Sequence, residues 1–367
     1  MADVVYVPVD VLYKFMIEAF VAQGVSDEDA RICADVLIAS DLRGIESHGI
    51  GRLKYYYDRI QAGVQFPTAK MEIVKETETT ALIDGHHGMG HPTAFRAMTL
   101  AMQKAKQYGL GAVTVRNTTH FGIAGYYPLM AAKEGMMGLT VTNARPSIAP
   151  TFGAEPMLGT NPIAFAAPSD MAYPFCFDGA TSICQRGKVE VAARAGKPVP
   201  AGWVISDTGE DMTDAPQILV DMTKDKASLL PLGGAGEAFA GYKGYGLATM
   251  VEILSASLSE GAFLKDLFGV APDGSKRPFM VGHFFLALDI EHFIPLEASK
   301  LITGRIMRDL QATPKLPGQE RIYVAGEKEF ENEKRVRAQG VPVNEGLRKE
   351  LQTMRDALKI TGYEAYF

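Results

Sequence analysis

Little in this 367-residue chain points outward to a wall, a membrane or a nucleic acid. It has three cysteines, Cys33, Cys176 and Cys184, an odd and widely spaced set. That usage argues for reduced thiols in a cytoplasmic protein rather than for a disulfide framework. A lone Cys176/Cys184 pair lacks the second pair that a zinc site would need. No apolar run approaches the roughly 18 residues of a membrane span. The start, Met1 to Tyr6, has neither the basic nor the apolar part of a signal peptide, so no leader is expected. There is no Lys/Arg block, and the net charge of −6 argues against a nucleic-acid surface. Internal repeats, low-complexity linkers and the Walker pattern are absent too, which excludes P-loop chemistry. What remains is ordinary globular composition, 47% hydrophobic and 22% charged, at a length that suggests two domains.

The first chemistry follows two helical runs. Asp10 is placed to cap the first, and Ser26 with Asp29 to open the second, where Ala30, Cys33, Ala34, Leu37 and Ile38 recur at helical spacing. After Gly44 comes Glu46-Ser47-His48-Gly49-Ile50-Gly51-Arg52, which sets a hydroxyl, an imidazole and a guanidinium close together. A third helical run, Leu53 to Gln61, ends at Gly63. A strand from Thr80 to Asp84, a Gly-rich turn, a helix from about Pro92 to Tyr108 and a strand from Gly111 to Val115 then read as a βαβ unit. The turn fails the dinucleotide fingerprint: its glycines run G-x-x-G-x-G, and the second strand ends in Arg116-Asn117 rather than in an acid. His86, His87 and His91 read as surface turn residues. No thiol lies nearby in sequence to complete a metal set, so no metal is expected.

The second concentration of chemistry is Asn117 to Tyr127, where His120 stands at a strand end followed by Gly122 and Gly125. Ligands of open α/β sheets bind at such ends, and an imidazole there can exchange a proton near neutral pH. A further strand, Leu139 to Thr142, leads into a Pro-rich loop with Arg145. Gly159-Thr160-Asn161-Pro162 precedes an apolar strand, and Phe175 to Phe177 leads into Asp178. There a carboxylate and two hydroxyls (Thr181, Ser182) could bind a ribose, orient a histidine or simply cap a turn. Residues 185–235 read as irregular, with Trp203 in a packing role. Gly241 to Gly246 opens a helix whose Leu247, Met250, Val251, Leu254 and Leu258 read as a packed core face. Its Gly-rich N-terminus, with Lys243, suits a phosphate. His283, in the strand Gly282 to Asp289, and His292 read as structural. Pro295 to Leu310 is helical, Glu327 to Arg337 reads as a solvated helix, and Asn344 to Leu358 closes the chain.

Taken together, Ser47-His48-Gly49 with Arg52, Thr119-His120-Phe121-Gly122, Leu158 to Ile163, Asp178 with Ala180-Thr181-Ser182, Leu230 to Gly234, Gly241 to Leu247 and Gly282 to Phe285 resemble one family. It is the malate/L-lactate dehydrogenase family distinct from the Rossmann enzymes, which also holds sulfolactate and ureidoglycolate dehydrogenases, diketogulonate reductases and cyclic-imine reductases. The resemblance runs from about residue 8 to residue 358. It implies an α/β fold: a non-Rossmann mixed-sheet dinucleotide-binding domain, residues 76–299, with a mainly helical domain from residues 1–75 and 300–367. It implies NAD or NADP, a 2-oxo or 2-hydroxy acid substrate and a homodimer.

By the same resemblance His48 would exchange the substrate's proton, with Ser47 beside it, and His120, which holds that role in some members, stays an equal candidate. Arg52 would grip the substrate carboxylate. Phe121, Gly122, Thr160, Asn161, Asp178, Ala180, Thr181 and Ser182 would line the cofactor. Lys243 would reach its phosphates or ribose, and Gly318, Gln319 and Glu320 would close on it. Gly179 replaces the family's usual Met or Leu, and Gln319 is an extra residue in its Pro-Gly-Glu turn. Arg145 lies outside the shared pattern. As a second cation it would favour a dicarboxylate, which makes malate/oxaloacetate the first choice over lactate, sulfolactate, ureidoglycolate or a cyclic imino acid.

Overall fold

Alternation along one strand organises the centre of the molecule. In the computed structural model, which describes residues 4–271 and 273–367, the strand Val281–Asp289 is almost wholly buried. Phe285 and Ala287 point into one apolar cluster and Phe284 into another, as the period of two requires. Around it the elements run in order. First come β1 (Val4–Val7), α1 (Val9–Val21) and α2 (Asp27–Leu42), then two 3-10 turns, Glu46–His48 and Ile50–Arg52, and α3 (Leu53–Gln61). Next are β2 (Glu72–Glu76), β3 (Thr80–Asp84), α4 (Gly90–Tyr108), β4 (Leu110–Thr118), α5 (Tyr126–Lys133), β5 (Met136–Thr142), β6 (Ile163–Ala167) and β7 (Phe175–Gly179). After these come α6 (Arg186–Arg194), β8 (Val204–Ser206), α7 (Ala215–Met222), β9 (Ala227–Leu229), α8 (Gly241–Ala256) and the central strand, β10. The chain closes with α9 (Leu296–Gln311), α10 (Glu327–Gln339), β11 (Val341–Asn344) and α11 (Glu345–Leu358).

Seven strands form one mixed sheet in the order β2-β3-β4-β10-β5-β6-β7. Only β3 and β4 are parallel neighbours, joined across α4 by the βαβ unit. This is not a doubly wound sheet, which is why the dinucleotide fingerprint fails. Helices α4 and α5 cover one face through alanines such as Ala94, Ala97, Ala101 and Ala131. Helix α8 covers the other through Val251. Small residues let the backbones approach closely: a Cβ on Gly111 would meet the Ala101 carbonyl, and one on Gly282 the Ser255 carbonyl.

A second core is built from both ends of the chain. Leu12, Phe15, Leu37 and Tyr56 share it with Val336, Val343, Leu351 and Phe367. Strand β1 pairs antiparallel with β11, which ties the termini together. Ser26 caps α2 by accepting the Asp29 N–H at 3.2 Å, worth about 1 kcal/mol. Asn344 caps α11 in the same way through Leu347 N–H. Helix α9 belongs to the far edge of the large sheet, where Met307 packs with Tyr173 and Val324.

The structure corrects four local expectations. Pro8, not Asp10, precedes α1, and Asp10 falls in its first turn, where its charge suits the helix dipole. Residues 185–235 are ordered as α6, α7 and the two-stranded β8–β9 sheet around Val204, Ile218 and Leu229, with Trp203 packed against them. His91 is no surface residue: it is fully buried in the first turn of α4, against Tyr56 and Phe20. Finally, α8 buries its small face, Gly241, Gly244, Ala248 and Ser255, and exposes Leu247, Met250 and Ile253, with Leu258 exposed in the turn that follows. The apolar pattern there is real, but most of it faces outward.

Candidate active site

Two segments from different cores bring the imidazoles together. His48 ends the first 3-10 turn after α2, and His120 lies just beyond β4. Their rings stack with centroids 5.4 Å apart. The turn that carries His120 is stitched down from below. Thr119 is buried, donates its hydroxyl to the Gly88 carbonyl and accepts the Gly90 N–H. A Cβ on Gly90 would run into the carbonyls of Thr119 and His120, so this approach needs glycine. Asn117, at φ 50°, turns the chain and bonds Asp84 through its side chain.

Helix α3 supplies the rest. Arg52 precedes it, and Tyr55, Tyr56 and Arg59 follow at the spacing that puts side chains on one helix face. The Tyr56 hydroxyl lies 2.6 Å from His120 Nδ1, and the Gly122 N–H donates to the same nitrogen at 3.2 Å. An amide N–H can only donate, so Nδ1 is the bare nitrogen and the neutral ring carries its proton on Nε2. His48 is held differently: its Nδ1 lies 2.8 Å from the exposed Ser47 hydroxyl, which can donate or accept. The Arg52 guanidinium centre sits 5.0 Å from the Tyr55 ring, and its Nε is buried with no hydrogen-bond partner. Arg59 lies 5.7 Å from the same Tyr55 ring and stacks on Phe279 at 3.8 Å.

These neighbours depress both imidazoles. Burial, then the Arg52 charge, brings His48 down to about 4. Burial, Arg52 and His48 hold His120 well below the usual histidine range. Both rings are therefore neutral near pH 7 in the free protein. A neutral imidazole pair beside a guanidinium with an unpartnered donor can bind an anion and take a proton from it.

Asp178, at the end of β7, accepts the Gly125 N–H at 2.7 Å. A Cβ on Gly125 would lie 2.9 Å from that carboxylate, so its glycine is what seats the acid. Crowding by protein raises Asp178 to about 6, opposed by the Gly125 N–H and Arg43, although the residue stays open to solvent. Thr181 donates to the carbonyls of Thr160 and Asn161, which ties the two cofactor-lining segments of the sequence reading together. Ser182, beside it, is buried with an unpartnered hydroxyl, and Ala180 is half-buried.

Other expected residues take different places. The Phe121 side chain is in the sheet core against His283, Tyr127 and Phe285, and Gly122 is buried at φ 82°. Asn161 is fully buried and donates to the Ala248 carbonyl and to Glu252. The Phe121 and Asn161 side chains are thus held by the protein's own interior. Arg145 stays exposed on the loop beyond β5, 5.6 Å from the Phe268 ring. Lys243 is exposed in the first turn of α8, and Gly318, Gln319 and Glu320 lie in an exposed turn after α9. His283 is buried beside the Thr142 hydroxyl and His292 lies near Asp289. Among the described residues no group of acids, histidines and cysteines is set to hold a metal.

Sequence reasoning passed over Tyr55, Tyr56, Arg59 and Glu252. The first three could have been found from their spacing after Arg52. Glu252 could not, because its role comes from three distant segments: its carboxylate accepts from Asn143, Asn161 and the Leu264 N–H.

Fold and site together define a class, α/β proteins that put an imidazole pair and a guanidinium at the end of a mixed, non-Rossmann sheet. The chain belongs to the malate/L-lactate dehydrogenase family, whose model matches residues 7–352. It is 44% identical over 358 residues to a malate dehydrogenase of Pyrococcus horikoshii, covering 98% of this chain and 96% of that one. It is 36% identical to a malate/(S)-sulfolactate dehydrogenase of Methanothermus fervidus, over 95% of this chain and 96% of that one. The crystal structure of malate dehydrogenase from Entamoeba histolytica superposes with a TM-score of 0.95 at 44% identity, over 98% of this chain and 99% of that one.

Proposed function

We propose that this protein is a nicotinamide-dependent dehydrogenase of 2-hydroxy acids, with malate/oxaloacetate as its substrate pair. The observation that carries the reading is the stacked His48–His120 pair beside the unpartnered Arg52 guanidinium. Arg52 would grip the carboxylate next to C2 as a charge-assisted fork. His120, fixed as an Nε2–H donor, would hold the substrate oxygen. His48, with Ser47, would take the hydroxyl proton on oxidation and return it on reduction, because its Nδ1 faces a hydroxyl that can reverse its bond.

The bound dinucleotide supplies the hydride acceptor or donor at its nicotinamide. The residues present fit such a group. The buried Ser182 hydroxyl lacks a partner, the Asp178 carboxylate is open to solvent, and Gly234, Gly236 and Gly246 around the start of α8 leave open space where a Cβ would stand. Lys243 there would meet a phosphate. Gly318 to Glu320 would close on the cofactor from their exposed turn.

The division into residues 1–75 with 300–367 and residues 76–299 would put His48 and Arg52 on one unit and His120 and Asp178 on the other, with α9 packed against the second unit at Tyr173. The three free, buried thiols suit the cytoplasm. A homodimer accounts for the outward apolar row of α8 and the turn after it: Leu247, Met250, Ile253 and Leu258 are 40–57% exposed. Ile253→Asp is expected to halve the mass found by light scattering. An unchanged mass would place the contact elsewhere.

The reading is tested at 340 nm with NADH and NADPH against oxaloacetate and pyruvate. Turnover of oxaloacetate in preference to pyruvate is expected. Arg145→Ala is expected to lower kcat/KM for oxaloacetate by about tenfold or more and to spare pyruvate, since one exposed charge contact is lost. Equal losses on both acids would remove Arg145 as the second cation, and no turnover with either would remove the reading.

A further inference from the structure

The junction between His48 and Arg52 rests on a buried acid that the reaction does not use. Asp41, in the last turn of α2, is 2% exposed. Its Oδ2 accepts the Ile50 N–H at 2.8 Å, and its backbone carbonyl accepts the Gly44 N–H at 3.0 Å. The neighbouring Ser40 grips the same segment, with its hydroxyl 2.8 Å from the Ile45 carbonyl. So the end of α2 holds both ends of the excursion that carries Ser47 and His48.

Gly49 adds a steric argument. Its φ of −91° is open to any residue, yet a Cβ there would lie 1.9 Å from Asp41 Oδ1. Its glycine is therefore explained by the carboxyl pressed against it. The Ile50 side chain is 1% exposed in the helical core, so the segment has no freedom to retreat. Between two short turns the Ile50 amide has no partner of its own within a helix, and a buried amide left bare is costly. A carboxyl in the interior, with no cation to offset it, is a price that packing alone would not demand. Burial raises the group to about 8, opposed by the Ile50 N–H and reinforced by Glu46, the one other acid acting on it.

We infer that Asp41 is a positioning residue: its carboxyl braces Gly49 and Ile50 from below and so sets the placement of His48 relative to Arg52. It touches no substrate and acts through the backbone. The inference rests on the reading of His48 and Arg52 as substrate-facing groups.

Three variants test it. Asp41→Leu keeps the volume and removes the acceptor. Asp41→Asn keeps an oxygen for the Ile50 N–H. Gly49→Ala pushes the segment off from the other side. Asp41→Leu and Gly49→Ala are expected to raise the oxaloacetate KM and lower kcat, together on the order of 10²-fold, as a displacement of about 1 Å does. NADH affinity, read by fluorescence titration, should stay unchanged, and Asp41→Asn should restore turnover to within a few-fold of the parent. The ¹H–¹⁵N signals of the His48 imidazole should move in the first two variants and not in the third, whether or not His48 is catalytic. Folded Asp41→Leu and Gly49→Ala proteins with unmoved His48 signals would overturn the brace, as would Asp41→Asn falling as far as Asp41→Leu. If Asp41→Leu does not fold, the comparison of Gly49→Ala with Asp41→Asn decides alone. An Arg52→Ala control that leaves the oxaloacetate KM unchanged, with His48 signals still moving in Asp41→Leu, would remove the reading of Arg52 and leave the brace standing.

Discussion

Exchanging His48 for Gln is expected to lower kcat by roughly 10²–10⁴-fold, the usual contribution of a positioned acid or base, and to remove the pH dependence of what remains. Exchanging His120 for Gln is expected to lower kcat by about 10²–10³-fold, as loss of a donor to a developing oxyanion does, and to keep the pH dependence. The asymmetry comes from Nδ1 of each ring. His120 spends that nitrogen on two donors, Gly122 N–H and the Tyr56 hydroxyl, so a second proton could enter only by breaking both bonds. His48 spends it on Ser47, a hydroxyl that reverses freely. The sign of the pH effect follows. With His48 brought down to about 4 in the free protein, kcat/KM for reduction, which needs the protonated ring, falls as pH rises above about 4. Oxidation needs the neutral ring and loses rate only below that. A bound carboxylate neutralises Arg52, the second cause of the depression, so the limb seen in kcat lies at higher pH than the limb in kcat/KM. Steady-state profiles of the two variants check this. A pH limb that survives in the His48 variant and vanishes in the His120 variant would exchange the two roles.

What could be read from the chain divides along a physical line. Where burial followed the period of an element, the sequence was legible. The strand Thr80–Asp84 lies where it was expected, the Ser26 cap opens α2, and Asn344 closes the final junction. Helix α8 shows where periodicity stops helping. Leu247, Met250 and Ile253 face out, while Gly241, Gly244, Ala248 and Ser255 face in beside Val251, because the sheet is close enough that a Cβ on Gly282 would meet the Ser255 carbonyl. Pattern alone cannot tell a core face from a face awaiting another chain. His91 fails for a related reason: its turn sequence is polar, but the imidazole is packed as an apolar plate between Tyr56 and Phe20.

The site was legible in kind and not in arrangement. His48, Arg52 and His120 stand out because imidazoles and guanidinium between glycines are poor packing material and good chemistry. That His48 stacks on His120 depends on where α2 ends and β4 ends, and those two points belong to different cores. Phe121 and Asn161 were read as ligand-lining because they sit in site motifs. Their side chains hold the motifs in shape, one in the sheet core and one against α8. Asp41 lay beyond reach for the same reason: nothing in a helical run marks one acid as the support of a loop nine residues on.

Arg52 carries the other large effect. Arg52→Ala is expected to weaken transition-state binding of every 2-oxo acid by about 2–5 kcal/mol, a loss of roughly 30- to 4,000-fold in kcat/KM, because a desolvated carboxylate would be left without its fork. Arg52→Lys should recover only part, since an ammonium keeps the charge and loses the paired geometry. Tyr55 makes the arginine specific: its ring lies 5.0 Å from the guanidinium centre, and a flexible ammonium gains less from that seat. NADH titration should be indifferent to both changes if the side chain meets only substrate. The same substitution reaches the proton step. Arg52 is the second cause of the low His48 value and follows burial among the causes of the low His120 value, so its removal lets both rings rise toward the ordinary histidine range. Arg52→Ala should therefore move the kcat/KM limb upward in pH while it lowers its height. A variant that loses affinity with no shift of the limb would mean that Arg52 holds the carboxylate without touching the electrostatics of the imidazole pair.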